Sequence, residues 1–137
     1  MLIVDDDPVG LKVFQLSLER DGYCVETAGN VRQAMDKIQS NGTEYYNAVV
    51  SDYQMPGQSG LELLEWIKGA DVTLSVIMIT SQRERSLIQF SLRHGASDFL
   101  EKPVPLKVLS ASVKKACDTT NNTRKLRSTQ KNVRAVA

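Results

Sequence analysis

The stretch Asn47-Ala48-Val49-Val50-Ser51-Asp52-Tyr53-Gln54-Met55-Pro56-Gly57 decides how the rest of the chain is read. Ala48-Val49-Val50 has the length and type of a buried strand. It runs into a carboxylate, Asp52, and then into a loop punctuated by Pro56 and Gly57. In an open α/β sheet, ligands bind outside the carboxyl ends of the strands, so an acid there is placed for chemistry. Acids near turns also have local hydrogen-bonding reasons to be present. The other strand ends decide between the two readings.

Upstream, Leu2-Ile3-Val4 is a short apolar strand ending in Asp5-Asp6-Asp7. Pro8 suits the first turn of a helix, where its missing N–H costs nothing. Leu11, Phe14 and Leu18 give that helix its apolar face, and Asp21-Gly22 ends it. Tyr23–Thr27 is strand-like. Asn30 with Gln33 makes a capping-box pattern, and Val31, Ala34, Met35 and Ile38 form one helical face. Downstream of Asp52, Leu61, Leu64 and Ile67 mark a third helix with Gly69 expected past its end. Leu74–Ile79 is a fourth strand ending at Thr80-Ser81. A helix over about 84–94 is capped by Gly95. Ser97–Leu100 is a fifth strand leading to Glu101-Lys102-Pro103, and Leu106, Leu109, Val113 and Ala116 repeat at helical spacing. Five strands alternating with five helices predict an α/β fold, a mostly parallel sheet with helices on both faces.

Parallel strands put Asp5-Asp6-Asp7, Asp52, Thr80 and Lys102 on one edge of the sheet. Each pair of carboxylates about 4 Å apart costs about 4 kcal/mol at an effective dielectric near 20. A hard, oxygen-liganded cation relieves that repulsion. Mg²⁺ fits best, because it takes one or two carboxylates plus waters and phosphate oxygens. Lys102 adds a compact positive charge and Thr80 a hydroxyl donor, which together describe a pocket for a phosphoryl group.

Over about residues 1–118 the chain resembles the receiver domain of two-component response regulators. The matching motifs are Leu2-Ile3-Val4-Asp5-Asp6-Asp7-Pro8, Asp52-x-x-Met55-Pro56-x-x-x-Gly60, Thr80-Ser81 and Lys102-Pro103, in order and at the right strand ends. The resemblance implies a flavodoxin-like, doubly wound sheet with strand order 2-1-3-4-5. It implies a phosphorylation-activated switch, not a conventional enzyme, in which Asp52 accepts a phosphoryl group from a histidine kinase or histidine phosphotransferase. Asp6, Asp52 and the backbone carbonyl of Gln54 would bind Mg²⁺ (or Mn²⁺), with Asp5 acting through a metal-bound water. Lys102 would pair with the acyl phosphate and Thr80 would donate to it. Phe99 matches the aromatic switch position, the Lys102-Pro103 bond is expected to be cis, and the signal would emerge on the surface of helix 4, strand 5 and helix 5.

Two other readings compete. Asp5-Asp6-Asp7-Pro8-Val9 also fits the opening motif of haloacid-dehalogenase-type phosphohydrolases, with Asp5 as nucleophile. No acidic pair follows Lys102 to complete that family's metal site, and Asp52-x-x-Met55-Pro56 is left unexplained. A phosphate-independent pseudo-receiver binding module is the other, and the intact acids, Thr80 and Lys102 speak against it.

At 137 residues, with 42% apolar and 24% charged residues, one soluble domain is expected. No apolar run approaches a membrane span and no signal-peptide core is evident, so the expected location is cytoplasmic. Cys24 and Cys117 lack metal-type spacing and are expected to be packing residues. Asp7 is expected to cap a helix, His94 to be structural at a helix C-terminus and Trp66 to be partly buried. All 16 acids fall in residues 1–118 while 119–137 carry five Lys/Arg, so the domain is expected to end near Asp118. Beyond it, Thr119–Thr123 should break or fray a helix. Leu126, Thr129, Val133 and Val136 recur at coiled-coil spacing. This basic segment is expected to be a linker or helix extension, serving a homodimer, a missing C-terminal effector domain or a separate output protein. It is too slight for direct nucleic-acid binding.

Overall fold

The computed structural model describes residues 1–81 and 85–136, with side chains described as far as Thr129. Element order is β1 (Leu2–Val4), α1 (Pro8–Arg20), β2 (Glu26–Ala28), α2 (Val31–Asn41), a 3₁₀ turn (Thr43–Tyr45), β3 (Ala48–Asp52), α3 (Gly60–Ala70), β4 (Ser75–Thr80), α4 (Arg85–Arg93), β5 (Asp98–Glu101) and α5 (Leu106–Val136). The sheet is parallel throughout, in the order β2-β1-β3-β4-β5. The start of the fourth helix expected at 84 lies outside the described residues.

Period-two alternation sorts the core into two layers. Leu2, Val4, Val49, Val76 and Met78 face α2 and α3, meeting Ala34, Ile38, Leu63, Leu64 and Ile67. Ile3, Ala48, Val50, Ile77 and Ile79 face α1 and α5, meeting Leu18, Leu109, Val113 and Ala116. Both faces are covered, which is why the central strands read as unbroken apolar runs.

Local signals act as expected at several helix ends. Asp7 caps α1 by accepting the Val9 N–H, and Asn30 caps α2 by accepting the Gln33 N–H. The Gln33 side chain reaches back to the Gly29 N–H, one residue short of a true capping box. Gly95 ends α4 with φ +98°, its N–H on Leu92 O and the Ala96 N–H on Ser91 O. A left-handed residue is required there, and glycine adopts it without a Cβ penalty.

Four expectations are corrected. Strand β2 begins at Glu26, not Tyr23, because the Tyr23 N–H is used to cap α1 on Leu18 O and the ladder starts where Glu26 meets Leu2. Gly69 lies inside α3, which is stopped by Asp71 in an extended conformation with its N–H on Ile67 O. Cys24 is exposed while Cys117 is buried, because Tyr23 and Val25 on either side of Cys24 pack inward and alternation turns Cys24 out. Most consequentially, α5 runs unbroken through Thr119–Thr123, because Thr120 is fully buried against Ser75 and tertiary contact overrides weak propensity. Leu126 is exposed, whereas the side chains of Val133 and Val136 lie outside the described residues.

Candidate functional site: an acidic pocket closed by a lysine

Asp5 follows the end of β1 and Asp52 closes β3, and both are almost fully buried, at 4% and 7% exposure. Asp6 is exposed beside them. One carboxylate oxygen from each of Asp5, Asp6 and Asp52 lies within 4.8 Å of the others, in a cluster able to hold a metal ion. The donors are all hard carboxylate oxygens, the set that suits Mg²⁺ and not a soft metal.

Lys102 reaches the same point from the end of β5. Its Nζ is 3.0 Å from Asp52 Oδ2 and 3.3 Å from Asp5 Oδ2. The remaining oxygens have backbone donors: Asp5 Oδ1 accepts the Asp7 N–H at 3.0 Å and Asp52 Oδ1 the Gln54 N–H at 3.3 Å. Burial pushes the Asp52 carboxyl above its ordinary value and the Asp5 charge adds to that, while Lys102 and the Gln54 N–H oppose without cancelling it. Burial alone would lower Lys102, but the hydrogen bonds and charges of Asp52 and Asp5 outweigh it and raise it.

Thr80 is fully buried at the end of β4. Its carbonyl accepts the Lys102 N–H at 2.7 Å, so strand pairing itself sets where the lysine begins. Met78 belongs to the layer facing α2 and α3, and alternation places Thr80 on that face too. Phe99, half-buried, packs against the same layer and pairs with Met78 across the sheet. The Lys102-Pro103 bond is cis. Trp66 packs half-buried on α3, and His94 sits away from the pocket with Nδ1 2.8 Å from Phe90 O.

Gly60 gains a reason that the sequence did not supply. A Cβ there would lie 2.1 Å from the Asp52 carbonyl oxygen and 3.0 Å from Met78 Cε. The start of α3 thus presses on the backbone of the pocket's central acid, and only glycine permits the approach.

The family model for the response regulator receiver domain matches residues 1–114. The chain belongs to that family. It is 39% identical over 109 residues to the two-component response regulator ORR26 of Oryza sativa subsp. japonica, covering 80% of this chain and 18% of the relative. It is 38% identical over 118 residues to the C4-dicarboxylate transport transcriptional regulatory protein DctD of Pseudomonas aeruginosa, covering 86% of this chain and 25% of that one. This receiver therefore spans a quarter or less of those two curated relatives. Among solved structures, a CheY-like receiver domain protein from Methanospirillum hungatei superposes with TM-score 0.82 at 32% identity, covering 89% and 95% of the two chains. NtrX from Brucella abortus gives TM-score 0.84 at 27% identity, over 95% of this chain and 30% of that one. The phosphohydrolase reading yields to this membership. No helix among the described residues is long and apolar enough to cross a membrane.

Proposed function

We propose that this receiver is switched by Mg²⁺-dependent phosphorylation of Asp52 by a histidine kinase or histidine phosphotransferase, and that it passes the signal to an effector. The observation that carries the proposal is the buried Asp52–Lys102–Asp5 arrangement beside exposed Asp6. Asp5, Asp6 and Asp52, with the Gln54 carbonyl, would hold the ion, Asp5 through a bound water. When bound, Mg²⁺ would neutralise charge on the phosphoryl oxygens.

The chain's own groups do the rest. Asp52 supplies the attacking carboxylate oxygen, forming the O–P bond as the donor's N–P bond breaks. Phosphoryl transfer asks a protein mainly for positioning and charge stabilisation. Lys102 is tethered through its backbone to Thr80 and holds its ammonium 3.0 Å from Asp52 Oδ2, within reach of an oxygen on a group joined to Asp52. The Thr80 hydroxyl is the further donor. Movement of Thr80 toward the phosphoryl group would free space for Phe99, which shares its sheet face, and reshape the α4–β5–α5 surface. Such a switch is biased only by as much as phosphate binds its two states differently.

The relatives' length supports an effector beyond this segment. A homodimer is the second output reading, favoured by the likeness (TM-score 0.79, 29% identity) to the beryllofluoride-activated NtrC4 receiver domain dimer.

Incubation with acetyl phosphate and Mg²⁺, followed by mass spectrometry, tests the site. One added phosphoryl group is expected in the parent and none in Asp52→Asn. A label that persists in Asp52→Asn overturns the assignment.

A further inference from the structure

The end of the sheet opposite the acidic pocket carries a second polar cluster that phosphoryl transfer does not use. Buried positions along α5 run Leu109, Ser112, Val113, Ala116, Cys117 and Thr120, and half-buried Arg124 continues the same stripe. After Cys117 the stripe is polar without leaving the domain. Thr120 Oγ1 accepts the Ser75 N–H at 3.1 Å and donates to Ser75 Oγ at 2.9 Å.

Arg124 completes the cluster. Its Nε–H donates to Thr73 Oγ1 at 3.0 Å. Nη1 donates to the carbonyls of Tyr46 at 2.8 Å and Glu44 at 3.3 Å. Nη2 donates to the Thr43 carbonyl at 3.0 Å and to Asp71 Oδ2 at 3.3 Å. A guanidinium has five N–H donors in a fixed planar fork, and here each has an acceptor. Asp71 is held in turn by the Thr73 N–H and hydroxyl.

The acceptors lie just before β3 and β4, the strands that end in Asp52 and Thr80. From Lys125 to Thr129 every residue of α5 is exposed. We infer that Arg124 is a latch that fastens α5 to the starts of β3 and β4, so that residues 120–124 belong to the rigid domain and the helix beyond leaves as an arm of fixed direction. The latch lies beyond residue 114, where the family match ends. It does not depend on the phosphorylation reading.

Amide hydrogen exchange on the full chain tests this, with Arg124→Ala, Arg124→Lys, Thr73→Ala and, as control, Arg127→Ala. Hydrogen bonds to a charged group are strong enough that losing several should cut protection of amides 119–128 by about tenfold or more. That loss is expected in Arg124→Ala and nearly as much in Arg124→Lys, whose ammonium cannot reproduce the fork. Thr73→Ala, which removes one of the five bonds, should fall between them and the parent. Amides 106–116 should keep their protection in every variant, and Arg127→Ala should match the parent. Unchanged protection in Arg124→Ala, an equal loss in Arg127→Ala, or a loss spread evenly across 106–116 would each overturn the latch.

Discussion

Replacing Lys102 by Met should destabilise the magnesium-free receiver strongly at neutral pH and much less in mild acid. Met keeps an apolar stem and removes only the ammonium. What remains is two buried carboxylates, Asp5 and Asp52, with oxygens within 4.8 Å. Removing one partner of a buried ion pair leaves uncompensated charge behind and costs about 3–5 kcal/mol. Proton uptake at Asp52 is the alternative to bearing that charge, and it becomes easier as pH falls. The direction at Asp52 agrees. Its folded value is raised above the ordinary 3.8, so its contribution favours folding below 3.8 and is lost as pH rises through the raised value. Urea unfolding of parent and variant in EDTA should show a loss of about 3 kcal/mol at pH 7 and a smaller loss at pH 5. Added Mg²⁺ should stabilise the variant more than the parent, because the carboxylates that would hold it carry more uncompensated charge there. A loss that is small at pH 7, or one that does not shrink at pH 5, would refute the reasoning.

Three further outcomes are expected. Gly60→Ala should cost about 3 kcal/mol, since its Cβ meets the Asp52 carbonyl and backbone cannot yield as a side chain does; it should also slow labelling by acetyl phosphate, and a labelling rate equal to the parent's would contradict it. Asp6→Ala should weaken Mg²⁺ binding by at least about tenfold, as loss of a direct ligand exceeds the usual effect of an outer partner, in a calorimetric titration at constant pH. Burial alone would raise Asp71, but hydrogen bonds from Thr73 and Thr43 and the Arg124 charge lower it. Its stabilisation is thus present above the ordinary 3.8 and lost as pH falls through the depressed value. With Arg124 and Lys68 the cations facing it, Asp71→Asn should cost about 1–2 kcal/mol at pH 7 and flatten acid unfolding below 3.8. An acid limb as steep as the parent's would refute that.

By itself the sequence determined the layers and which sheet edge Asp5, Asp6, Asp52 and Lys102 share. Strands of alternating allegiance, such as Leu2-Ile3-Val4, show as apolar runs because both sheet faces are covered. The capping residues Asp7 and Asn30 and the turn at Gly95 act through neighbours two to five residues away, so local order suffices to read them. The acids, Thr80 and Lys102 were legible because parallel strands end on one edge whatever the details. Only the tertiary structure decided which groups touch. That Lys102 bridges both Asp52 and Asp5 depends on the lysine reaching from the end of β5 past β4 to the end of β3 and on to the end of β1. That Gly60 must be glycine depends on a backbone oxygen eight residues earlier. The helix that Thr119–Thr123 should have broken continues because Thr120 and Arg124 find partners 45 to 81 residues away in sequence. Propensity counts only what a residue costs its own helix, and here the compensation comes from strands on the far side of the chain.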